Sequence, residues 1–271
     1  MPPQKLTAII PTLNEAENLR SCLESLSFAD EILVVDSFST DATVEIARGF
    51  PKTRLLQHEY FGNGPQCNWA MERASHPWIL VVDADERATP ELAREIGELL
   101  GGEPPSDWYR IRRENVFFGK VVRHAGLSAH GLVRLFRNGT ARYPERRVHA
   151  DVAVPGPVPA LRHRLHHYTY RSFSDYVEKL QRYAEWGAAD LYRAGRRSGF
   201  PAIVLHPLWR FGRMYLLQAG FLDGTAGLVV CGLQAYGTFL KYALLWEWTR
   251  MERRGEPVPL PRTAERAASE A

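Results

Sequence analysis

The sequence predicts an α/β fold, a mixed and mainly parallel sheet flanked by helices in the Rossmann-like manner, with a helical extension on its C-terminal side. Strand-like apolar runs alternate with helical segments over the first hundred residues, which implies parallel strands covered on both faces. One run, Trp78-Ile79-Leu80-Val81-Val82, opens directly onto Asp83-Ala84-Asp85-Glu86. From Ser174 the pattern is helical almost to the end.

Taken in order, Leu6 to Ile10 reads as the first strand. Asn14 to Leu26 reads as a helix with Leu19, Cys22, Leu23 and Leu26 on one face. Thr12 or Asn14 is the expected N-cap, with Glu17 in the first turn. Glu31 to Asp36 is the second strand, and Asp41 to Arg48 the second helix with Asp41 as its cap. Thr53 to Gln57 is a weaker strand, Pro65 to Ala74 a helix and Trp78 to Val82 a strand buried on both faces. Pro90 to Leu100 is a helix with proline in its first turn. The alternation then stops. Trp108 to Phe118 and Leu132 to Phe136 are strands with no helix between them, so the second half of the sheet is mixed.

The late segments are unusual. Pro201 to Leu222 is a helix carrying Leu205, Leu208, Trp209 and Leu217 with Arg210 and Arg213 among them. Gly224 to Leu240 has no charged residue and approaches the roughly 20 apolar residues of a membrane span, but it contains Gln234 and several glycines. Helices lying in the membrane interface, with Arg, Lys, Trp and Tyr at headgroup level, are the expected arrangement. A helical pair packed on the main domain or at a dimer interface is the alternative. The segment after Glu256 is rich in Pro, Arg, Ala and Glu and reads as disordered.

The 271 residues suffice for one large domain with an appendage, and the formal net charge is +3. The charge is unevenly spread: residues 1–107 are mildly acidic, whereas Arg110 to Arg197 is rich in Arg and His. That half suits an anionic partner such as a sugar nucleotide, a phosphorylated glycan or a membrane surface. No nucleic-acid-binding motif accompanies it, so nucleic acid is not expected as a partner. Cys22, Cys67 and Cys231 are far apart, which indicates neither a disulfide framework nor a zinc site and makes a reducing compartment the default. The N-terminal residues lack signal-peptide architecture.

Three polar clusters end apolar strands. Asp83 and Asp85 follow one strand, Asp36 ends another, and Asn14-Glu15 follows the first. Singly, each is explained by a turn or a helix cap. Together they fall on the carboxyl edge of one sheet, where open α/β folds bind ligands. Two carboxylates there suit Mg²⁺ or Mn²⁺, with substrate phosphates completing the shell. Backbone N–H groups at the start of the first helix favour an anion.

Four motifs in order carry a resemblance: Pro11-Thr12-x-Asn14-Glu15, Asp36-x-x-Ser39-Thr40-Asp41, Gly62-x-Gly64-Pro65-Gln66-x-Asn68-x-Ala70 and Asp83-Ala84-Asp85-Glu86. Over about residues 5–170 the chain resembles the family 2 inverting glycosyltransferases. Within them it looks most like the lipopolysaccharide-core β-1,4-glucosyltransferase group, through Arg134-Leu135-Phe136-Arg137-Asn138, Tyr143, Val148-His149, His167-Tyr168-Thr169-Tyr170-Arg171-Ser172, Lys179 and Tyr183. Gly220 to Gly224 and Lys241-Tyr242 extend the likeness.

The resemblance implies a GT-A fold that transfers a hexose, glucose by the nearest group, from a UDP-sugar to a membrane-linked glycan such as lipopolysaccharide core. A polyprenyl phosphate or another polysaccharide is the alternative acceptor, and a non-catalytic membrane-associated scaffold is the alternative of another class. Pro11, Asn14 and Glu15 would line the uridine pocket, Asp36 would hold the base or ribose, and Gln66 and Asn68 would lie near the donor. Asp83 and Asp85 would face ribose, metal and diphosphate, with Asp85 the more direct metal ligand and His167 a further one. The group often carries Val-His-Glu where this chain reads Val148-His149-Ala150-Asp151, so the base that activates the acceptor falls to Asp151 or Glu145, with His149 behind them. A basic residue is common where Cys67 stands, so Arg134, Arg137 or the metal would offset the diphosphate charge. Arg162, Arg164 and Arg171 would contact acceptor phosphates or lipid headgroups. The implied organisation is a GT-A nucleotide-sugar-binding domain over residues 1–172, a helical extension for acceptor or membrane association over 173–256, and a disordered tail over 257–271. The implied location is cytoplasmic and peripheral, on the inner face of the membrane, with a homo-oligomer left open.

Overall fold

A computed structural model describes residues 3–117, 119–127, 131–144, 152, 154–170 and 172–261. The chain divides into two compact units, Met1–Glu114 with Ala129–Tyr168, and Asn115–Ser128 with Thr169–Ala271.

In the first unit β1 (Leu6–Thr12), α1 (Ala16–Ser25), β2 (Glu31–Asp36), α2 (Thr43–Arg48), β3 (Thr53–Gln57), α3 (Asn63–Met71) and β4 (Trp78–Val81) follow one another. β5 (Glu86–Ala88), α4 (Pro90–Gly101), β6 (Trp108–Phe117), β8 (Leu132–Arg137) and β9 (Ala160–Tyr170) complete the sheet, whose order is β3-β2-β1-β4-β8-β6-β9-β5. β1 pairs parallel with β2 and with β4, while β8 runs antiparallel to β4. The sheet is therefore mixed and mostly parallel through its N-terminal half, as the rhythm of the sequence predicts.

Alternate strand residues feed two cores, as the two-residue period of a strand requires. Ala8, Ile10, Ile32, Val34 and Leu80 meet Leu19 and Leu23 of α1 and Leu92 and Ile96 of α4. Ile9, Leu33, Val35, Ile79 and Val81 face the other way, toward Cys67 and Ala70 of α3 and toward Phe136. Each fully buried leucine or isoleucine contributes about 1.5–3 kcal/mol over its exposed state. Double-sided burial is why β1, β2 and β4 read as unbroken apolar runs.

Several expectations need correction. β5 and β9 were not expected; β5 is only three residues long, and β9, between β6 and the edge strand β5, mixes Arg and His with apolar residues. The N-cap of α1 is Glu15 rather than Thr12 or Asn14; its carboxylate accepts from the Asn18 side chain at 2.8 Å and not from a first-turn backbone N–H. Asn14 instead takes a left-handed backbone (φ 54°), which Asn tolerates better than most residues. Asp41 sits one residue ahead of the α2 cap, Ala42, yet its carboxylate accepts N–H groups of both Thr43 and Ala16 and so ties the starts of α1 and α2 together.

The second unit contains β7 (Lys120–Val122), α5 (Phe173–Arg193), α6 (Phe200–Gly212) and α7 (Gly224–Arg253). β7 pairs with the end of β6 at Asn115–Phe117. Residues 115–128 belong with the late helices because Phe117 and Val122 pack among Tyr176, Leu180, Val230 and Leu233. The single helix expected over 201–222 is broken. α6 passes into a π-helical turn at Arg213–Leu217, Ala219 adopts φ 55°, and Gly220–Asp223 forms a 3₁₀ turn before α7. Gly220 is required there, because a Cβ would lie 2.8 Å from Cys231 Sγ and 2.9 Å from the Met214 carbonyl oxygen. α7 then runs on to Arg253, well past Leu240. The segment Gly220–Arg253 is long and apolar enough to cross a membrane by length and composition. Residues 257–261 are not loose: Val258 and Leu260 pack on Ala188, Leu245 and Trp248, and Arg193 donates to the Pro261 carbonyl at 2.9 Å.

Candidate active site

Because β1, β2 and β4 are parallel neighbours, with Thr12 opposite Asp36 and Ile9 opposite Val81, their carboxyl ends lie along one edge. The loop carrying Asn14 and Glu15, the loop after Asp36 and the turn carrying Asp83 and Asp85 all leave the sheet there. The first two are stitched together. Asn14 donates its N–H to Ser39 Oγ at 2.8 Å and accepts the Thr40 N–H on Oδ1 at 2.8 Å; the Glu15 N–H goes to Thr43 Oγ1 at 2.8 Å. Pro11, in β1 opposite Val35, closes this corner.

Asp36 is fully buried and already engaged. It accepts the Ser39 N–H and hydroxyl and the Gln57 Nε2 amide, the last at 3.0 Å. Its carboxylate therefore holds the loop that follows β2 from beneath. Gln66, also fully buried, donates from Nε2 to Ser37 Oγ at 3.1 Å and meets His58 Nδ1 through Oε1 at 2.8 Å. Asn68 exchanges two hydrogen bonds with the Tyr143 backbone, at 2.9 and 3.0 Å. Both amides are committed to the scaffold, because a buried amide must spend its donors and acceptors somewhere.

The carboxylates after β4 divide into two sets. Asp83 faces arginine: Arg134 Nη2 lies 2.7 Å from Oδ2 and Arg113 Nη1 4.0 Å away. Glu86, 0% exposed, takes the same two guanidiniums at 3.2 and 3.3 Å and accepts the Asp83 N–H at 2.9 Å. Burial opposes ionisation of Asp83, but the Arg134 charge and hydrogen bond, helped by Arg113 and His167, hold its carboxyl below the usual range. For Glu86 burial wins, assisted by the Asp83 charge against Arg134, and its carboxyl is pushed up. Arg134 is held charged by Asp83 and Glu86 against its own burial. Its Nε and the Thr12 hydroxyl at the end of β1 are buried without a hydrogen-bond partner among the described residues.

Asp85 stands apart from the arginines. Its Oδ2 lies 3.2 Å from His167 Nε2, and both side chains are partly exposed. β9 supplies His167 because it pairs with β5, Glu86 opposite His167, and Tyr168 donates its N–H to the Asp85 carbonyl at 2.8 Å. No group of three His, Cys, Asp or Glu side chains close enough to hold a metal ion occurs among the described residues. Asp85 and His167 nevertheless fit as a partial shell, since Mg²⁺ and Mn²⁺ are often held by one or two protein groups with phosphate oxygens filling the rest. Asp83 fits less well, because two guanidiniums already neutralise it.

Other expectations fall elsewhere. Arg137 pairs with Asp107 at 2.7 Å, and its strand position opposite Trp78 puts it at the far end of β4 from Asp83. Arg164 pairs with Glu114 at 3.0 Å rather than presenting a free cation. Cys67 is a buried thiol pushed up to about 12 by burial and by the Asp83 charge, so it is no nucleophile. Glu145, His149, Asp151 and Arg171 lie outside the described residues. Arg113 was missed from the sequence. Only strand register could have pointed to Arg113, since nothing in its local sequence marks it.

Comparison with known proteins gives four findings. A family model described as Glycosyl transferase family 2 matches residues 7–151. The chain is 29% identical over 258 residues to the lipopolysaccharide core biosynthesis glycosyltransferase LpsC of Rhizobium meliloti (strain 1021), covering 90% of this chain and 95% of that protein. An uncharacterized glycosyltransferase of Rickettsia bellii (strain RML369-C) is 27% identical, covering 90% and 87%. Among solved structures, S. aureus TarS 1-349 is similar at 17% identity, with a TM-score of 0.48 over 93% of this chain and 92% of that one.

Proposed function

The chain belongs to glycosyl transferase family 2, with its GT-A fold, and from that premise we propose that it transfers a hexose from a UDP-sugar, with inversion, to a membrane-linked glycan. The observation that carries the reading is the split of the carboxylates after β4: Asp83 locked by Arg134 and Arg113, and Asp85 left toward solvent with His167. A leaving diphosphate needs positive charge beside it, and a ribose or diphosphate-bound cation needs a fixed acceptor.

In this reading Pro11, Asn14 and Glu15 line the nucleoside pocket, and Asp36 and Gln66 hold its wall rigid from behind. Asp83, oriented by Arg134, faces the ribose. Asp85 and His167 would hold Mg²⁺ or Mn²⁺, which when bound supplies Lewis-acid stabilisation of the departing diphosphate. The acceptor hydroxyl loses its proton to a carboxylate on the opposite side of the sugar carbon, for which Asp151 and Glu145 are the candidates. The naming of the LpsC relative for lipopolysaccharide core biosynthesis favours a core glycan as acceptor. The exposed apolar residues of α6 favour work at the inner membrane face.

The test is UDP release from UDP-glucose and other UDP-sugars, with truncated core glycan as acceptor, with and without EDTA. Turnover that needs both glycan and divalent ion supports the proposal. Absence of UDP-sugar binding in the presence of Mn²⁺ would overturn it. Asp151→Ala and Glu145→Ala, assayed separately, identify the base as the one whose loss removes transfer while UDP binding remains.

A further inference from the structure

Within the helical unit, cationic side chains converge on one groove. Arg210 of α6, Arg213 of the π-helical turn, Lys241 of α7 and His206 line a space of about 230 Å³, with Trp209 and Tyr242 at its walls. The walls are ordered: the His206 ring lies on Tyr242, centroids 4.1 Å and planes 4° apart, and Lys241 Nζ is 5.0 Å from the Tyr242 ring centroid. Arg210 is braced from behind, donating from Nη2 to Gln234 Oε1 at 3.1 Å, and Gln234 Nε2 donates to the Tyr176 hydroxyl at 2.8 Å.

Among the described residues no carboxylate is paired with Arg210, Arg213 or Lys241, and none is a charge partner of Arg210 or Lys241. Between residues 200 and 246 the sole acid is Asp223. Asp223 is taken by His124, accepting its N–H at 2.8 Å and meeting its Nδ1 at 2.9 Å. Burial and then the Arg213 charge push Arg210 below its usual range, and burial and then Arg210 do the same to Lys241. The Arg210 Nε is buried with no hydrogen-bond partner among the described residues. Like charges gathered without a counterion form a site that an anion completes. Beside the groove lies exposed apolar surface: Leu208 is 64% exposed, Trp209 63% and Leu217 72%, with Leu205 and Leu216 similar. A cationic pocket flanked by exposed leucines matches a ligand that has an anionic head and an apolar chain. Three full cations around so small a space match a dianionic phosphate monoester better than a singly charged diester.

We propose that the α6–α7 groove binds the phosphate monoester headgroup of a membrane amphiphile, its apolar chain lying along Leu205, Leu208 and Leu217. The inference rests on the reading that this unit works at a membrane surface.

The full chain is titrated with phosphatidylcholine vesicles containing either phosphatidic acid or phosphatidylglycerol, at contents giving equal surface potential. The expected result is binding about tenfold tighter to phosphatidic acid, and loss of that preference in Arg213→Gln/Lys241→Gln with unchanged circular dichroism and Tm. Leu208→Ser/Leu217→Ser should weaken binding to both vesicles alike. Equal affinity of the wild-type chain for the two vesicles overturns the inference while leaving membrane association standing. Binding to neither overturns both. A preference that survives the double Gln substitution overturns the assignment to this groove. Binding of inorganic phosphate to the lipid-free chain, with no preference for phosphatidic acid vesicles, assigns the groove to free phosphate and overturns the lipid.

Discussion

Arg134 is the residue on which the candidate site turns. It is almost fully buried, between a carboxylate it keeps ionised and another that burial pushes toward neutrality. Removing one partner of a buried charge set leaves the others uncompensated, which typically costs about 3–5 kcal/mol. Arg134→Met is therefore expected to lose about 3 kcal/mol in urea unfolding, and adding Glu86→Gln should recover part of that loss by removing the stranded charge. Additive losses in the double variant would show that Arg134 and Glu86 are not coupled. Asp85 should behave in the opposite way. It is partly exposed, and among the described residues its carboxylate pairs with His167. Asp85→Ala is expected to lower transfer by roughly 100-fold, the scale seen when one transition-state contact is lost, with stability changed by less than about 1 kcal/mol. A large fall in stability with activity retained would make Asp85 a structural residue.

Among the elements, α7 shows most clearly how packing decides what a glycine is for. At Gly227 a Cβ would collide with the Gly220 carbonyl oxygen and lie 2.9 Å from Asp223 Cβ, whereas at Gly232 it would meet nothing within 4 Å. Gly227→Ala should therefore destabilise by about 1–3 kcal/mol through overpacking. Gly232→Ala should stabilise by about 0.5–1 kcal/mol through helix propensity alone. Thermal melts of the two variants should move in opposite directions. The same close approach explains why the expected 201–222 helix breaks: the 3₁₀ turn at Gly220–Asp223 lets α7 bring Cys231 against Met214 and Ala125. Pattern reading saw apolar residues on both sides and joined them. It also missed β5 and β9, which pair with each other across some eighty residues, and β7, three residues that fold straight back on the end of β6.

At the scale of the whole molecule, stability should fall with acid. Glu31, Asp41, Asp83 and Asp223 all have carboxyls held below their usual range, burial opposing and hydrogen bonds or cations prevailing. A group lowered in the folded state contributes stability above its unfolded value, near pH 4, and loses it as pH falls through the folded value. Glu86 has the opposite sign, since its raised value gives a contribution lost as pH rises past about 4.3. With several groups against one, unfolding free energy should drop from pH 5 to pH 3. Asp223→Asn should flatten that slope, and an unchanged slope would remove Asp223 from the account.

The sequence by itself determined the alternation of β1 to α4, the mixed second half of the sheet, the edge on which the polar loops meet and the family that this order of motifs marks. Those properties are local: runs of apolar residues, cap chemistry and the spacing of short motifs. Only the tertiary structure decided the use of each polar residue. Asp36, Gln66 and Asn68 look as available as Asp85 in the sequence, yet each spends its hydrogen-bonding capacity on Ser39, His58 or Tyr143. Asp83 and Asp85 stand one residue apart and still part company, one turned to Arg134 from β8 and the other to His167 from β9. Electrostatic partners are set by distance in space, and strands some fifty and eighty residues downstream deliver them.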